Sequence, residues 1–198
     1  MVSIPRRGWI IGLSLGLLPG LILGGLWTNT PLHAVATDRT KDFCMATGIV
    51  DETIEAVFLL DSLTGNLRGA VLSSQTPGFQ ARYEANVLTD LARSITEVNV
   101  RISQENAARK RDGDLPRPQV RFPQAPRFMM VTGTSDLRRG MARAQPGLSV
   151  VYVAEAQTGI VLAYAIPWSP NDHQTNRPYA GNLILWGADQ FASTVVRP

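Results

Sequence analysis

The chain has 198 residues, 44% of them apolar and 18% charged, with a formal net charge of +3. That leaves room for one compact domain with an N-terminal appendage, and it is too apolar for a disordered chain. A single Cys and two His exclude a disulfide framework, and also a zinc site built from Cys and His alone, which takes four ligands.

Residues 1–8 carry Arg6 and Arg7 and no acid, and Gly8 to Thr37 contain no charged residue. Trp9 to Trp27 reads WIIGLSLGLLPGLILGGLW. At about 1.5 Å per residue this run matches a hydrocarbon core of ~30 Å, with a tryptophan at each end where interfacial rings sit. Pro19-Gly20 would kink such a helix. Ala34-Val35-Ala36 offers a signal-peptidase site. Residues 1–36 therefore read as a signal peptide or a single-pass membrane anchor. The length of the run favours the anchor over cleavage after Ala36, because a signal's hydrophobic region is about 7–15 residues. Arg6-Arg7 is also compatible with a twin-arginine signal. On either reading the arginines stay inside and residues 37–198 are exported, to face the periplasm or to be released there.

Removing Arg6 and Arg7 leaves 17 Lys and Arg against 16 Asp and Glu in residues 37–198, a net of +1. A body this close to neutral lacks the field of a nucleic-acid binder, so no nucleic-acid partner is expected. Cys44 has no partner in the chain; a buried apolar role is expected, with an intermolecular bridge as the lesser reading.

Two phrases recur in order. FCMATG (43–48) matches FMMVTG (128–133) at an offset of 85, and VFLLDSLTGNLRGAVL (57–72) matches VYVAEAQTGIVLAYAI (151–166) at an offset of 94. One insertion in the region of Ser135–Ser149 accounts for the change, and duplication accounts for the order. Each copy reads as three antiparallel strands: a run closed by Thr-Gly, a β-rich run ending in an acid, and a return strand. Asp61, Thr64 and Gly65, and likewise Glu155, Thr158 and Gly159, are expected to form the turn. The carboxylate accepts turn N–H groups and Gly supplies positive φ. The fold class expected is mainly β with one or two helices: two such units, 43–72 and 128–166, packed as one domain beside an N-terminal hydrophobic helix.

Leu60-Asp61-Ser62-Leu63-Thr64-Gly65-Asn66-Leu67 and Ala154-Glu155-Ala156-Gln157-Thr158-Gly159-Ile160-Val161 resemble the repeat of quinoprotein-type β-propellers. There, a strand ending in Leu-Asp-x-x-Thr-Gly turns into the outermost strand. The resemblance covers about 70 residues and implies blade-like units. Two copies cannot close a ring of roughly four to eight blades. The tryptophan that follows the turn in that family is missing from the first copy and late, at Trp168, in the second. No quinone-binding residue carries over. The whole chain also resembles bacterial exported, membrane-anchored envelope proteins, which implies a location and no activity.

Asn86 is placed to cap a helix, and Leu88, Leu91, Ile95, Val98 and Ile102 make one apolar stripe facing a sheet. Val98, Val100 and Ile102 also alternate as a strand would. Residues 104–127 are rich in Pro and Arg and read as a connector between the copies. Its Arg109, Lys110, Arg111, Arg117 and Arg121 are candidate anion ligands for a polyanion such as a headgroup or acidic glycan; a solvated linker is the plainer reading.

Ser169–Gly181 reads as an exposed loop holding His173, the body's one histidine, with no serine or carboxylate in catalytic geometry. Asn182 to Trp186 reads as a last strand. No G-x-S-x-G, Walker loop, G-x-G-x-x-G or H-E-x-x-H occurs. No cofactor and no metal are expected, an all-oxygen calcium site excepted. The leading functional expectation is a membrane-tethered, non-enzymatic envelope module that binds another envelope component or itself. The alternatives are polyanion binding through 104–127 and an enzyme with a carboxylate pair between the copies. That pair would come from Asp51, Glu52, Asp61, Asp136 and Glu155, about 5–10 Å apart.

Overall fold

A computed structural model describes residues 37–137 and 145–192, all within one compact unit, Val35–Pro198. The expectations for residues 9–27 and for cleavage after Ala36 lie outside the described residues. Among the described residues no helix is long and apolar enough to cross a membrane.

The body is mainly β. Its strands are β1 (Thr37–Arg39), β2 (Phe43–Asp51), β3 (Ile54–Asp61), β4 (Asn66–Leu72), β5 (Phe79–Asn86), β6 (Phe128–Thr134), β7 (Gln145–Glu155), β8 (Ile160–Trp168), β9 (Tyr179–Asn182) and β10 (Ile184–Gln190). Two helices interrupt them, α1 (Val87–Asp112) and α2 (Pro170–Gln174). One sheet has six strands in the order β1-β2-β3-β4-β5-β9, the other four in the order β10-β8-β7-β6. Every pairing is antiparallel except that of β5 with β9. The chain changes sheets at Leu183, so Asn182 ends β9 and the last strand starts at Ile184 rather than at Asn182.

The two sheets share one core. They come closest where β2 faces β6 and β7. The inward residues of β2 are Cys44, Ala46 and Gly48, small enough for close approach. A Cβ on Gly48 would stand 3.0 Å from the Thr132 methyl and 3.3 Å from Ser149 Cβ. Polar bonds fix the same seam: Thr132 Oγ1 donates to the Thr47 carbonyl, and Trp168 Nε1 donates to Asp51 Oδ2 at 2.9 Å. Cys44 is buried beside the Phe128 carbonyl, its Sγ 3.5 Å away.

Asn86 caps α1, its Oδ1 accepting from Thr89 N–H at 2.9 Å. The buried face is Val87, Leu91, Ser94, Ile95, Val98 and Ile102, and it packs on β4, β8 and β10. Leu88, expected in this stripe, is only partly buried, over the Gly65 turn. The strand alternative for Val98–Ile102 is wrong, because the helix continues to Asp112. It therefore enters the stretch read as a connector, because Gln, Glu, Ala, Arg and Lys are good helix formers without any apolar stripe. Gly113, at φ 79°, closes it.

The remaining connector lies back along α1. Asn106 Nδ2 donates to the Arg117 carbonyl at 2.8 Å and its Oδ1 accepts from Arg117 N–H at 2.7 Å. Asn99 pairs with both backbone groups of Val120 in the same way, at 2.8 Å each. Seven residues of helix rise ~10.5 Å and three of extended chain span about 10 Å, so the two amides meet matched backbone groups. Most of residues 113–127 remain exposed, and the two asparagines hold them against α1.

Candidate functional site: the outer face of the six-stranded sheet

Strand register writes the outer face in rows. Met45, Leu59, Arg68, Glu84 and Asn182 are cross-strand neighbours, and Thr47, Val57, Ala70, Arg82 and Ala180 form the next row. Charges are interspersed with its apolar side chains: Asp38 neighbours Met45, Asp61 neighbours Phe43, and Arg68 and Glu84 continue the row of Met45 and Leu59. Phe43, Met45, Leu59, Leu72 and Phe79 remain 43–62% exposed, a concentration that single surface apolar residues do not need to explain but a patch does. A concavity of about 740 Å³ opens on it, lined by Val57, Leu59, Ala70, Phe79, Arg82 and Ala180 among others. A second, of about 450 Å³, adjoins it at Arg68, Glu84 and Asn182. These residues were not singled out from sequence. The available signal was the run of apolar residues at both parities of β2 and β3, which leaves one apolar face over after the core is filled.

The two acid–Thr-Gly turns use their carboxylates locally. Asp61 Oδ1 accepts from Leu63 N–H at 2.9 Å and Thr64 N–H at 3.3 Å, and Oδ2 accepts from the Thr64 hydroxyl at 2.8 Å. The Thr64 hydroxyl and the Leu63 N–H together hold the Asp61 carboxyl below the ordinary aspartate range. Glu155 is 1% exposed. Its Oε2 accepts from Gln157 N–H, Thr158 N–H and the Thr158 hydroxyl at 3.0, 2.7 and 2.9 Å, and its Oε1 from Arg127 N–H at 3.0 Å. Gly65 and Gly159 sit at φ 70° and 68°, each N–H on the carbonyl of its acid at 2.9 and 3.0 Å. The correspondence reaches a fourth strand, β5 after the first turn and β10 after the second, of which the sequence suggested only the last. Asn86 Nδ2 donates to the Thr64 carbonyl at 3.2 Å and Gln190 Nε2 to the Thr158 carbonyl at 3.0 Å. Val87 N–H and Phe191 N–H reach the Gly65 and Gly159 carbonyls, both at 2.8 Å.

The other sequence candidates do not converge. Asp51 is taken up by Trp168 and by Glu52 N–H at 2.9 Å, while Glu52 and Asp136 are exposed. The oxygens of Asp61 are taken up by its own turn and those of Glu155 by its turn and Arg127 N–H, so no facing carboxylate pair is built from them. Arg117 pairs with Glu105 at 2.6 Å, and Arg109 reaches the Leu115 carbonyl at 3.4 Å. Arg109, Lys110 and Arg111 form the last turn of α1, where cations complement the helix dipole. Lys110, Arg111 and Arg121 are exposed.

His173 departs from expectation. It is 7% exposed and lies in α2 rather than in an open loop. Its Nδ1 is 3.0 Å from Gln80 Oε1, and its ring centroid is 5.1 Å from that of Trp168. Gln80 also donates to the Arg177 carbonyl, so this cluster fastens α2 to β5. Burial first, and then the neighbouring Asp90 carboxylate, push the Tyr164 phenol up; its hydroxyl donates to Asp90 at 2.9 Å. Among the described residues, no group of three or more His, Cys, Asp or Glu could hold a metal ion. Comparison with protein-family models, curated proteins and solved structures gives no match.

Proposed function

We propose that the chain is an exported, membrane-tethered, non-enzymatic binding module of the cell envelope. Its body is read as two duplicated, blade-like antiparallel units, and its binding surface as the outer face of the six-stranded sheet. The observation that carries the reading is the exposed apolar patch of Phe43, Met45, Leu59 and Phe79 beside a concavity of about 740 Å³. Duplication is supported by the matched bonds of the two turns, which extend to Asn86 and Gln190. The tether is supported by the uncharged run Trp9 to Trp27 after Arg6-Arg7. The enzyme and polyanion alternatives have less support, because the turn carboxylates and Arg117 are already bonded within the fold.

A photo-crosslinking residue at Leu59 in cells should give a discrete adduct, and one at exposed Arg93 on α1 should not. Equal labelling at both positions, or none at Leu59, refutes the binding face. Mass spectrometry of the mature protein tests the tether, and a chain beginning at Thr37 refutes it.

A further inference from the structure

The internal seam joins unlike faces. In the first unit the core receives Cys44, Ala46 and Gly48; in the second it receives Phe128, Met130 and Thr132. At the offset of 85, the counterparts of the first set are Met129, Val131 and Gly133, which lie on the outer side. The counterparts of the second set are Phe43, Met45 and Thr47, also outside. The same inversion holds at the offset of 94: Phe58 and Leu60 are buried where Tyr152 and Ala154 are half-exposed, and Leu59 is exposed where Val153 is buried. The Phe-Met-Thr half of the internal interface is thus present a second time, outside, at Phe43, Met45 and Thr47, and the other half recurs on the opposite outer face as Met129, Val131 and Gly133, with larger side chains than Cys44 and Ala46.

We infer that copies of the chain stack head to tail, the outer face of the four-stranded sheet of one seating on the outer face of the six-stranded sheet of the next. This rests on the reading of that latter face as a binding surface and names its occupant as a second copy. The contact would pair the same positions as the seam inside the chain, at a wider spacing because Met129 and Val131 stand where Cys44 and Ala46 do. Because it joins unlike faces it is heterologous, so it propagates instead of closing on one pair. Phe43, Met45 and Leu59 on one side and Met129, Val131 and Tyr152 on the other would form its apolar centre, and Asp38, Asp61, Arg68 and Glu84, their cross-strand neighbours, would have to lie at its rim. Four strands ~4.8 Å apart and about 20 Å long cover roughly 400 Å² per partner before side-chain relief, about 800 Å² in total, below the ~1,000 Å² that a stable interface clears. Such a contact is weak, and covalent trapping suits it.

The internal pair Cys44 and Phe128, with Sγ 3.5 Å from the carbonyl, locates its external equivalent: Met129 of one copy against Phe43 of the next. Full-length Phe43→Cys and Met129→Cys variants, tagged to different sizes and mixed in detergent, should form a disulfide-linked heterodimer on mild oxidation. The double variant should give a ladder, and adding Val131→Glu should reduce it at least tenfold. Both cysteines replace residues 45% and 48% exposed, and wild-type chain controls for Cys44. Linkage no greater than wild type overturns the proposal. So does linkage of either single variant to itself as strong as the mixed product, which marks two-fold pairing. A discrete adduct at Leu59 without the ladder overturns stacking alone and leaves the binding face standing.

Discussion

Glu155→Ala tests the most heavily used buried group in the body. The carboxylate accepts four hydrogen bonds, from Arg127, Gln157 and Thr158 N–H and the Thr158 hydroxyl, at 1% exposure. Truncation leaves the Thr158 and Arg127 N–H groups without an acceptor, at about 1–3 kcal/mol for each buried donor. Losing the side chain's packing adds to this, so about 3–5 kcal/mol is expected. For a chain of this size that is a fall in Tm of ~6–20 °C. Glu155→Asp should recover more than half, since Asp61 makes the same three local bonds with the shorter side chain. Thermal unfolding of the full-length variants, followed by near-ultraviolet circular dichroism, gives the measurement. A loss below about 1 kcal/mol for Glu155→Ala, or equal losses for Ala and Asp, refutes the account.

Gly65→Ala and Gly159→Ala should each cost more than about 2 kcal/mol, since the left-handed backbone alone costs ~1–2 kcal/mol. There the new Cβ would also stand 3.0 Å from Leu88 N or 2.8 Å from the Ala192 carbonyl. Gly113→Ala meets nothing within 4 Å and should cost only the backbone term; equal Tm losses at all three would contradict this. Asn99→Ala with Asn106→Ala should release the connector and speed tryptic cleavage after Arg121 at least tenfold, with little change in Tm, whereas Thr96→Ala should leave cleavage unaltered. Because Asp61 titrates below its ordinary 3.8 in the folded chain, its contribution is present above pH ~3.8 and lost as pH falls through the lowered folded value. The Tm advantage of wild type over Asp61→Asn should therefore shrink as pH falls from about 4 to about 2, and parallel curves would count against it.

Local chemistry was legible where a residue type has one good structural use. Asn86 read as a cap and caps; the acid–Thr-Gly phrases read as turns and are turns. The helix end was not legible, because residues 104–112 hold no apolar stripe and their propensity is hidden beneath a polar, Arg-rich composition. His173 was misread for a different reason. Its surroundings in sequence are those of a loop, and its burial comes from Gln80 on β5 and from Trp168, contacts that no local pattern encodes.

The outer face was missed because strand alternation carries no information when both parities are apolar. In β2 and β6, and again in β3 and β7, apolar residues occupy consecutive positions, so the period of two does not say which side turns inward. Tertiary packing made opposite choices in the two halves: Ala46 goes in where Val131 stays out, and Met130 goes in where Met45 stays out. A one-position change of facing would ordinarily expose a core and bury polar groups. Here both parities of β2, β3, β6 and β7 are apolar, so the core is filled whichever set turns inward and the other set is left exposed. That property has a cost in solubility, which a sequence free of function could shed by placing Lys or Glu at Met45, Leu59 or Val131 without touching the fold. Met45, Leu59 and Val131 are exposed and are not needed to fill the core, which is why the proposed binding rests on them.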